Sequence, residues 1–411
     1  MNSRWLIIAD DLTGAADSAI AFARRRLAAR VSWGEPRPDD RADALALAFD
    51  ADTRQLSVAA ATRRHQDILR GLLEPRMHVF KKIDSTLRGH PAEELGALLD
   101  VLAARVPRLL AVFAPAFPAG GRITRDGRIF VHGIALEHTE FWSAERPAAH
   151  ADLGALLEHA GLHARLIGLD AVRGDALRLR AMLDDSRGGA TICVCDAETE
   201  DDLDRIVAAS LTEDVTLFSG SAGFAHALAH RVSRDAQKRI APIRHPPSSR
   251  GALLVIGSQA SASRAALAPL SGIAGLRRVS ADAGSLLPLA ELARELEAGV
   301  DVVIDLRPPA DSAAPRLREV VDALARQLAP LGAQAGALMA TGGDTAAALL
   351  ARFGIRGIQL ADELEPGTSL GLTLGEYSLP VITKSGGFGD AGSLLRIVER
   401  LRFIRRTGIV A

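Results

Sequence analysis

Lysine is scarce in this sequence. The chain has 411 residues and 49 basic side chains, yet lysine stands only at 81, 82, 238 and 384. Positive charge is otherwise written as arginine. A lysine that persists marks a place where a compact ammonium suits and a planar guanidinium does not. Lys238 falls in a polar helix end (RDAQKR) and reads as surface, which leaves Lys81, Lys82 and Lys384 as candidates for function. Tyrosine occurs once, at 377, and aromatics make up 4%. That excludes a base-stacking surface or an aromatic sugar platform. The only cysteines, Cys193 and Cys195, share one face of the apolar run TICVC if it is a strand. Two thiols cannot build a structural zinc site, and they read as reduced core residues. No residue is assigned as a metal ligand.

Long hydrophobic runs are also missing. None approaches the ~20 residues needed to span a bilayer. The run 5–9 is too short for a signal-peptide core and meets Asp10 and Asp11 at once, so the expected location is the cytoplasm. A net charge of −1 gives no footprint for nucleic acid or an anionic membrane. The hydrophobic fraction of 48% and charged fraction of 24% are those of an ordinary globular chain. Its length calls for two domains.

Short runs rich in Val, Ile and Leu alternate with segments of helical period. Strands are expected at 5–9, 45–49, 78–82, 109–113, 166–169, 191–195 and 215–218. Helices are expected at 15–28, 57–73, 91–104 and 201–210. This predicts an α/β fold of two domains with largely parallel sheets. Residues 120–134 break the rhythm as a long loop or hairpin. The Pro- and Ser-rich stretch IAPIRHPPSSRG at 240–251 reads as a linker, which sets the domains at 1–240 and 250–411. Strands then resume at 252–256, 302–306, 337–340 and 380–383.

Three loops of the second domain share one logic. LVIGSQAS at 254–261, ATGGDTAAAL at 340–349 and KSGGFGD at 384–390 each run from a strand through glycine toward a helix. Free N–H groups at a helix N-terminus attract anions, and glycine lets phosphate oxygens approach the backbone. One such loop is an ordinary capped turn, whereas three in one domain favour phosphate binding. Ser258, Gly342, Gly343, Asp344, Thr345, Gly386 and Gly387 are the candidates. GFGDAG at 387–392 matches GxGxxG literally, but no βαβ unit follows it. The Lys-bearing P-loop pattern is absent. SGSAG at 219–223 has Ser219 where a serine-hydrolase elbow needs glycine, so it reads as an anion site or as packing.

The first domain holds polar clusters at strand ends. Asp10 and Asp11 close the first strand. Two carboxylates there can hold substrate hydroxyls, orient a proton acceptor or approach Mg2+ through water, although capping of the next helix accounts for one of them. The third strand runs into KKIDSTLRG at 81–89, too polar for an ordinary turn. Alternation puts Lys82 and Asp84 on one face if the strand extends that far. Arg88 can grip a carboxylate with its fork, and Arg54 comes to the same edge.

Together, IADDLTGAAD at 8–17, KKIDSTLRG at 81–89, PAFPAGGRIT at 115–124, GSAG at 220–223, TGGDT at 341–345 and KSGGFG at 384–389 resemble the four-carbon acid-sugar kinase family. That family includes 3-oxotetronate, D-threonate and D-erythronate kinases. The resemblance implies a sugar-acid-binding first domain, an ATP-binding second domain and an active site in the cleft between them. One departure is Asp344, where the family often has Glu. The reading expects Arg54, Lys82, Asp84, Ser85 and Arg88 to hold the acid. Asp10 or Asp11 would orient the terminal hydroxyl, with Asp84 the competing base, and Mg2+ would bridge the phosphates of ATP. A homo-oligomer is compatible with the sequence. Two rivals stand: a nicotinamide-dependent hydroxy-acid dehydrogenase, which lacks its fingerprint here, and a non-catalytic sugar-acid sensor, which has no use for three phosphate loops.

Overall fold

The apolar runs emerge as short buried strands whose helices pack on both faces. The computed structural model describes residues 4–41, 43–142, 151–235, 239–282, 284–307 and 314–411. Lys238 lies outside the described residues. The chain divides into two units, Met1–Ala29 with Trp33–Arg239, and Arg30–Ser32 with Ile240–Ala411.

In chain order the first unit carries β1 (Trp5–Ala9), α1 (Leu12–Ala23), the ends of β2 (Ala29–Trp33), whose middle residues Arg30–Ser32 belong to the second unit, β3 (Ala46–Asp50), α2 (Val58–Leu72), β4 (His78–Lys82), α3 (Pro91–Ala103) and β5 (Leu110–Ala114). A hairpin of β6 (Arg122–Arg125) and β7 (Arg128–Val131) follows, with β8 (Ile134–Ala135) beside it. Next come α4 (Leu153–His159), β9 (His163–Ile167), α5 (Leu169–Arg173), α6 (Ala176–Asp184), β10 (Thr191–Cys195), α7 (Glu200–Ser210), β11 (Thr216–Gly220) and α8 (Ala222–Asp235). Strands β3, β1, β4, β11, β5, β10 and β9 lie in that order and all run parallel. A parallel sheet covered on both faces needs apolar residues throughout each strand, and β1, β3, β4 and β5 are buried at every position. One core cluster joins Leu6, Ile8, Phe49, Leu69, Leu98 and Phe113, each contributing about 1.5–3 kcal/mol by leaving water.

The helix limits follow from caps. Ser57 accepts from Ala60 N and starts α2, while Thr199 and Asp202 form a capping box at α7. The helix expected at 15–28 begins earlier, because Asp11 caps it. It also stops at Ala23, short of Arg26, which sits in the left-handed region at φ +59. In the SGSAG segment Ser221 Oγ donates to Ala116 O at 2.7 Å, and a Cβ on Gly220 would lie 2.3 Å from Ala114 O, so both residues are closely packed.

The second unit comprises β12 (Ala252–Ile256), α9 (Ser261–Ala265), β13 (Leu276–Asp282), α10 (Leu289–Glu297), β14 (Asp301–Arg307), α11 (Ala314–Leu328), β15 (Ala337–Thr341) and α12 (Gly343–Arg352). It closes with β16 (Ile355–Glu365), β17 (Thr368–Gly375), β18 (Pro380–Lys384) and α13 (Ser393–Thr407). Its strand order is β13-β14-β12-β15-β18-β17-β16. The first five are parallel, and the antiparallel ribbon of β16 and β17 was not expected from the sequence. A second core joins Leu254, Ile256, Val303, Met339, Ile382, Leu401 and Ile404.

Candidate active site

Topology assembles the first group of residues. Strands β3, β1 and β4 are adjacent and parallel, so the residues after their last positions emerge at one edge of the sheet. Asp11 is the N-cap of α1: it accepts from Gly14 N at 2.9 Å and from Thr13 Oγ1 at 2.9 Å. Asp10 takes no part in the cap. Arg54 ties the two carboxylates together. Its Nε donates to Asp10 Oδ2 at 2.8 Å, its Nη2 to Asp10 Oδ1 at 3.0 Å and its Nη1 to Asp11 Oδ2 at 2.7 Å. Burial would raise the Asp10 carboxyl, but Arg54, Lys81 and Lys82 outweigh it and hold the group below its ordinary value. Arg54 was expected to hold substrate. Three of its five N–H groups are instead spent on Asp10 and Asp11.

The segment after β4 is a tight polar turn. The strand ends at Lys82, so its alternation does not reach Asp84. Thr86 N donates to Asp84 Oδ2 at 3.0 Å, and Thr86 Oγ1 donates to the same oxygen. Arg88 donates from Nε at 3.1 Å and from Nη2 at 2.7 Å, so its fork grips Asp84. Burial opposes ionisation here, yet Arg88, Arg54 and Thr86 hold the Asp84 carboxyl far below the usual range. Leu87 is fully buried at φ +62, a left-handed conformation that a bulky side chain rarely takes. The turn stores that strain beside the site.

Two groups remain unengaged. Lys82 is 6% exposed, and its ammonium makes no hydrogen bond or ion pair among the described residues. It lies over the first turn of α1, where a Cβ on Gly14 would sit 3.1 Å from Nζ. The Ser85 hydroxyl, half-buried, also lacks a protein partner among them. A free ammonium and a free hydroxyl thus stand in a setting where Asp10, Asp11, Arg54, Asp84 and Arg88 are already paired.

Beneath them lies a cluster that sequence reasoning missed. Lys81 is fully buried, 2.8 Å from Glu94 Oε2, and Glu94 Oε1 accepts from Thr53 Oγ1 at 2.6 Å. His65 Nε2 faces Glu94 at 3.6 Å, and burial followed by the Lys81 charge lowers its pKa to about 4. Nearby, burial pushes the Asp50 carboxyl well above its usual value against the hydrogen bond from Asp52 N. A lysine in this arginine-rich chain followed by an acid in the first turn of the next helix was the available signal.

The second group sits in the second unit. Strands β12, β15 and β18 are neighbours, and their following loops touch. A Cβ on Gly386 would lie 2.0 Å from Ser258 Oγ, and one on Gly257 would lie 1.9 Å from Thr345 Oγ1. Ser258 N donates to Thr341 Oγ1 at 3.2 Å, and Gly342 N donates to Lys384 O at 2.9 Å. Gly342, at φ +88, supplies the left-handed turn that starts α12. Nothing lies within 4 Å of a Cβ on Gly387, so its backbone faces open space. Asp344 is exposed and 3.4 Å from Arg318. Lys384 is 1% exposed, and its ammonium donates to Ser385 O at 3.2 Å and to Phe388 O. This candidate lysine is therefore turned onto the carbonyls of its own loop. Burial lowers the Lys384 ammonium against the pull of Glu365 and Asp390.

Residues 5–228 match the family model described as a sugar-binding N-terminal domain, and residues 274–394 match a nucleotide-binding C-terminal domain. The chain belongs to the four-carbon acid-sugar kinase family. It is 36% identical to a D-threonate kinase of Cupriavidus necator, over 95% of this chain and 96% of that one. A D-erythronate kinase of Heliobacterium modesticaldum is 28% identical over 97% of each chain. A 3-oxo-tetronate kinase of Methylobacterium radiotolerans is 27% identical over 96% of this chain and 98% of that one. A crystal structure of a Haemophilus influenzae protein shares the fold, with a TM-score of 0.76 at 19% identity, over 97% of this chain and 100% of that one. Among the described residues, no helix of this family member is long and apolar enough to cross a membrane.

Proposed function

We propose that the chain transfers the terminal phosphoryl group of ATP to a terminal hydroxyl of a four-carbon sugar acid in the cytoplasm, with residues 1–240 holding the acid and 250–411 the nucleotide. The observation that carries this reading is that the Lys82 ammonium and the Ser85 hydroxyl have no hydrogen-bond partner among the described residues, beside carboxylates that Arg54 and Arg88 already engage. An acid with adjacent hydroxyls offers a carboxylate to the ammonium and oxygen atoms to the serine. Phosphoryl transfer asks for positioning and charge neutralisation more than for covalent help.

Among the three carboxylates proposed as proton acceptor, Asp11 is favoured. Its side chain is 22% exposed against 2% for Asp10, and it is gripped by Arg54 through one oxygen rather than two. Asp84 is held so firmly by Arg88 and Thr86 that it accepts a proton poorly. Asp10 and Arg54 then orient Asp11, and Arg88 keeps the turn of Asp84 and Ser85 in shape.

The contacting loops of Ser258, Gly342 to Thr345 and Gly386 to Gly387 suit a polyphosphate, because two of their glycines leave no room for a side chain and one faces open space. Mg2+ supplies charge neutralisation on the phosphates. Among the described residues no group of three or more His, Cys, Asp or Glu side chains is placed to hold a metal. An ion that arrives with the nucleotide would then be held mainly by the phosphates, with Asp344 a carboxylate within these loops that could approach it.

The test is ADP release with Mg-ATP against D-threonate, D-erythronate and 3-oxotetronate. Turnover of at least one, dependent on both ligands, is expected. Binding of an acid without turnover would replace this reading with a sensor.

A further inference from the structure

We infer that Lys81, Glu94 and Thr53 form a buried positioning network beneath the sugar-acid site, holding Asp10, Arg54 and Lys82 in the geometry that binds the acid; the inference rests on the function proposed above.

The network joins all three strand ends that carry the site. Lys81 Nζ donates to Glu94 Oε2 at 2.8 Å and to the carbonyl of Lys82 at 2.8 Å. Lys81 therefore fixes the backbone of the residue whose ammonium is free. Glu94 comes from the first turn of α3 and accepts from Thr53 Oγ1 at 2.6 Å. Thr53 N and Arg54 N both donate to Asp10 O, at 3.1 and 3.3 Å. The path runs from α3 through β4 and the loop after β3 to the end of β1. His65 of α2 closes the cluster from the remaining side, with Nδ1 on Ala61 O at 3.0 Å. With its pKa lowered to about 4 by burial and Lys81, His65 is neutral at pH 7, which leaves one cation facing one anion.

Stability alone does not account for such a pair. Lys81 is 0% and Glu94 1% exposed, and desolvation of two charges can exceed their attraction, so apolar replacements of equal size are often as stable. A tetrahedral ammonium reaches a carboxylate and a carbonyl in different directions, which a planar fork would not. What the pair adds is a fixed position for groups that must meet a small ligand, where a displacement of about 1 Å can cost on the order of a hundredfold in rate.

The experiment measures steady-state kinetics of the full chain, with D-threonate or whichever tetronate the parent turns over, and Mg-ATP varied separately. The variants are Lys81→Met, Glu94→Gln and both together. Each is expected to raise KM for the acid by about tenfold or more while KM for ATP stays within about twofold of the parent. In Lys81→Met the acid limb of kcat/KM should also move to higher pH. Asp10 would then keep Arg54 and Lys82 as cations and a neutral His65 as a neighbour, while still facing Asp50 and Glu94. A double variant with the parent's KM and an unmoved acid limb would show that the pair only serves the fold. If these variants do not fold, Thr53→Val removes a single hydroxyl from the network and should shift the same KM in the same direction; an unchanged KM overturns the inference. A parent that turns over no tetronate defeats the proposed function itself, whereas an active parent with indifferent variants defeats only the network.

Discussion

Replacing Lys82 by methionine should separate binding from folding. The ammonium is 6% exposed and makes no hydrogen bond or ion pair among the described residues, so its removal breaks none of them. Methionine keeps most of the stem and sheds a desolvated charge, but it also removes one of the cations that hold Asp10 ionised, so the two effects offset and stability should change little. With substrate bound, the same ammonium would make a charge-assisted hydrogen bond. Such bonds contribute about 1.5–3 kcal/mol. At roughly 1.36 kcal/mol per decade, this becomes about 10- to 150-fold in KM for the acid. KM for ATP should not move. The assay is coupled ADP release at saturating Mg-ATP with the acid varied, alongside thermal unfolding of parent and variant. An unchanged acid KM would refute the assignment of Lys82 to the substrate. A melting temperature lower by more than about 4 °C would refute the claim that the ammonium is unengaged, since that is about 1 kcal/mol or more for a unit of this size.

Three further outcomes follow from the geometry. Arg54→Met leaves Asp10, 2% exposed, without its fork, and should cost about 3 kcal/mol at pH 7, the lower end for a broken buried pair because Lys81 and Lys82 remain. The folded Asp10 value lies below 3.8, so the parent's ion-pair stability is present above that pH and lost as pH falls through the folded value; the gap between parent and variant in urea unfolding should therefore narrow on acidification. Asp50→Asn should act in the opposite sense. Burial raises the Asp50 carboxyl, so the parent loses stability as pH rises through that value, and the variant's gain in melting temperature should grow from pH 5 to pH 8. Finally, Gly386→Ala should raise KM for ATP and lower the melting temperature, because its Cβ meets Ser258 Oγ at 2.0 Å; Gly387→Ala, with nothing within 4 Å, should leave melting unchanged and raise KM for ATP only if a phosphate approaches there.

The strands at 5–9, 191–195 and 252–256 were legible to the residue, because each is a largely apolar run between polar or turn-forming neighbours. The α/β class followed from that alternation. The β16–β17 ribbon was hidden by mixed polarity in IRGIQLADELE, and its register shifts break the two-residue period. Strand β13 escaped notice because LRRVSAD is an edge strand, half solvated. In the site, residue types and their strand-end placement were readable, but partner choice was not. Arg54 and Arg88 each looked available to a ligand, and each was found on a carboxylate of this chain. Local spacing fixes which loops meet, whereas pairing between loops depends on depth and angle across the sheet. Lys81 shows the same limit from the other side: its chemistry was visible, and its partner thirteen residues on was not.

The unpaired Lys82 ammonium has a consequence for selectivity. An ammonium with no hydrogen-bond partner among the described residues would accept almost any small oxyanion that reaches it, so abundant cellular carboxylates, and sulfate or phosphate in a laboratory buffer, should compete for it. On the proposed reading, discrimination among acids would then fall to the groups proposed to meet the hydroxyls, Ser85 and Asp11. Choice between stereoisomers would therefore be altered at those two residues, while changes at Lys82 would weaken all acids alike.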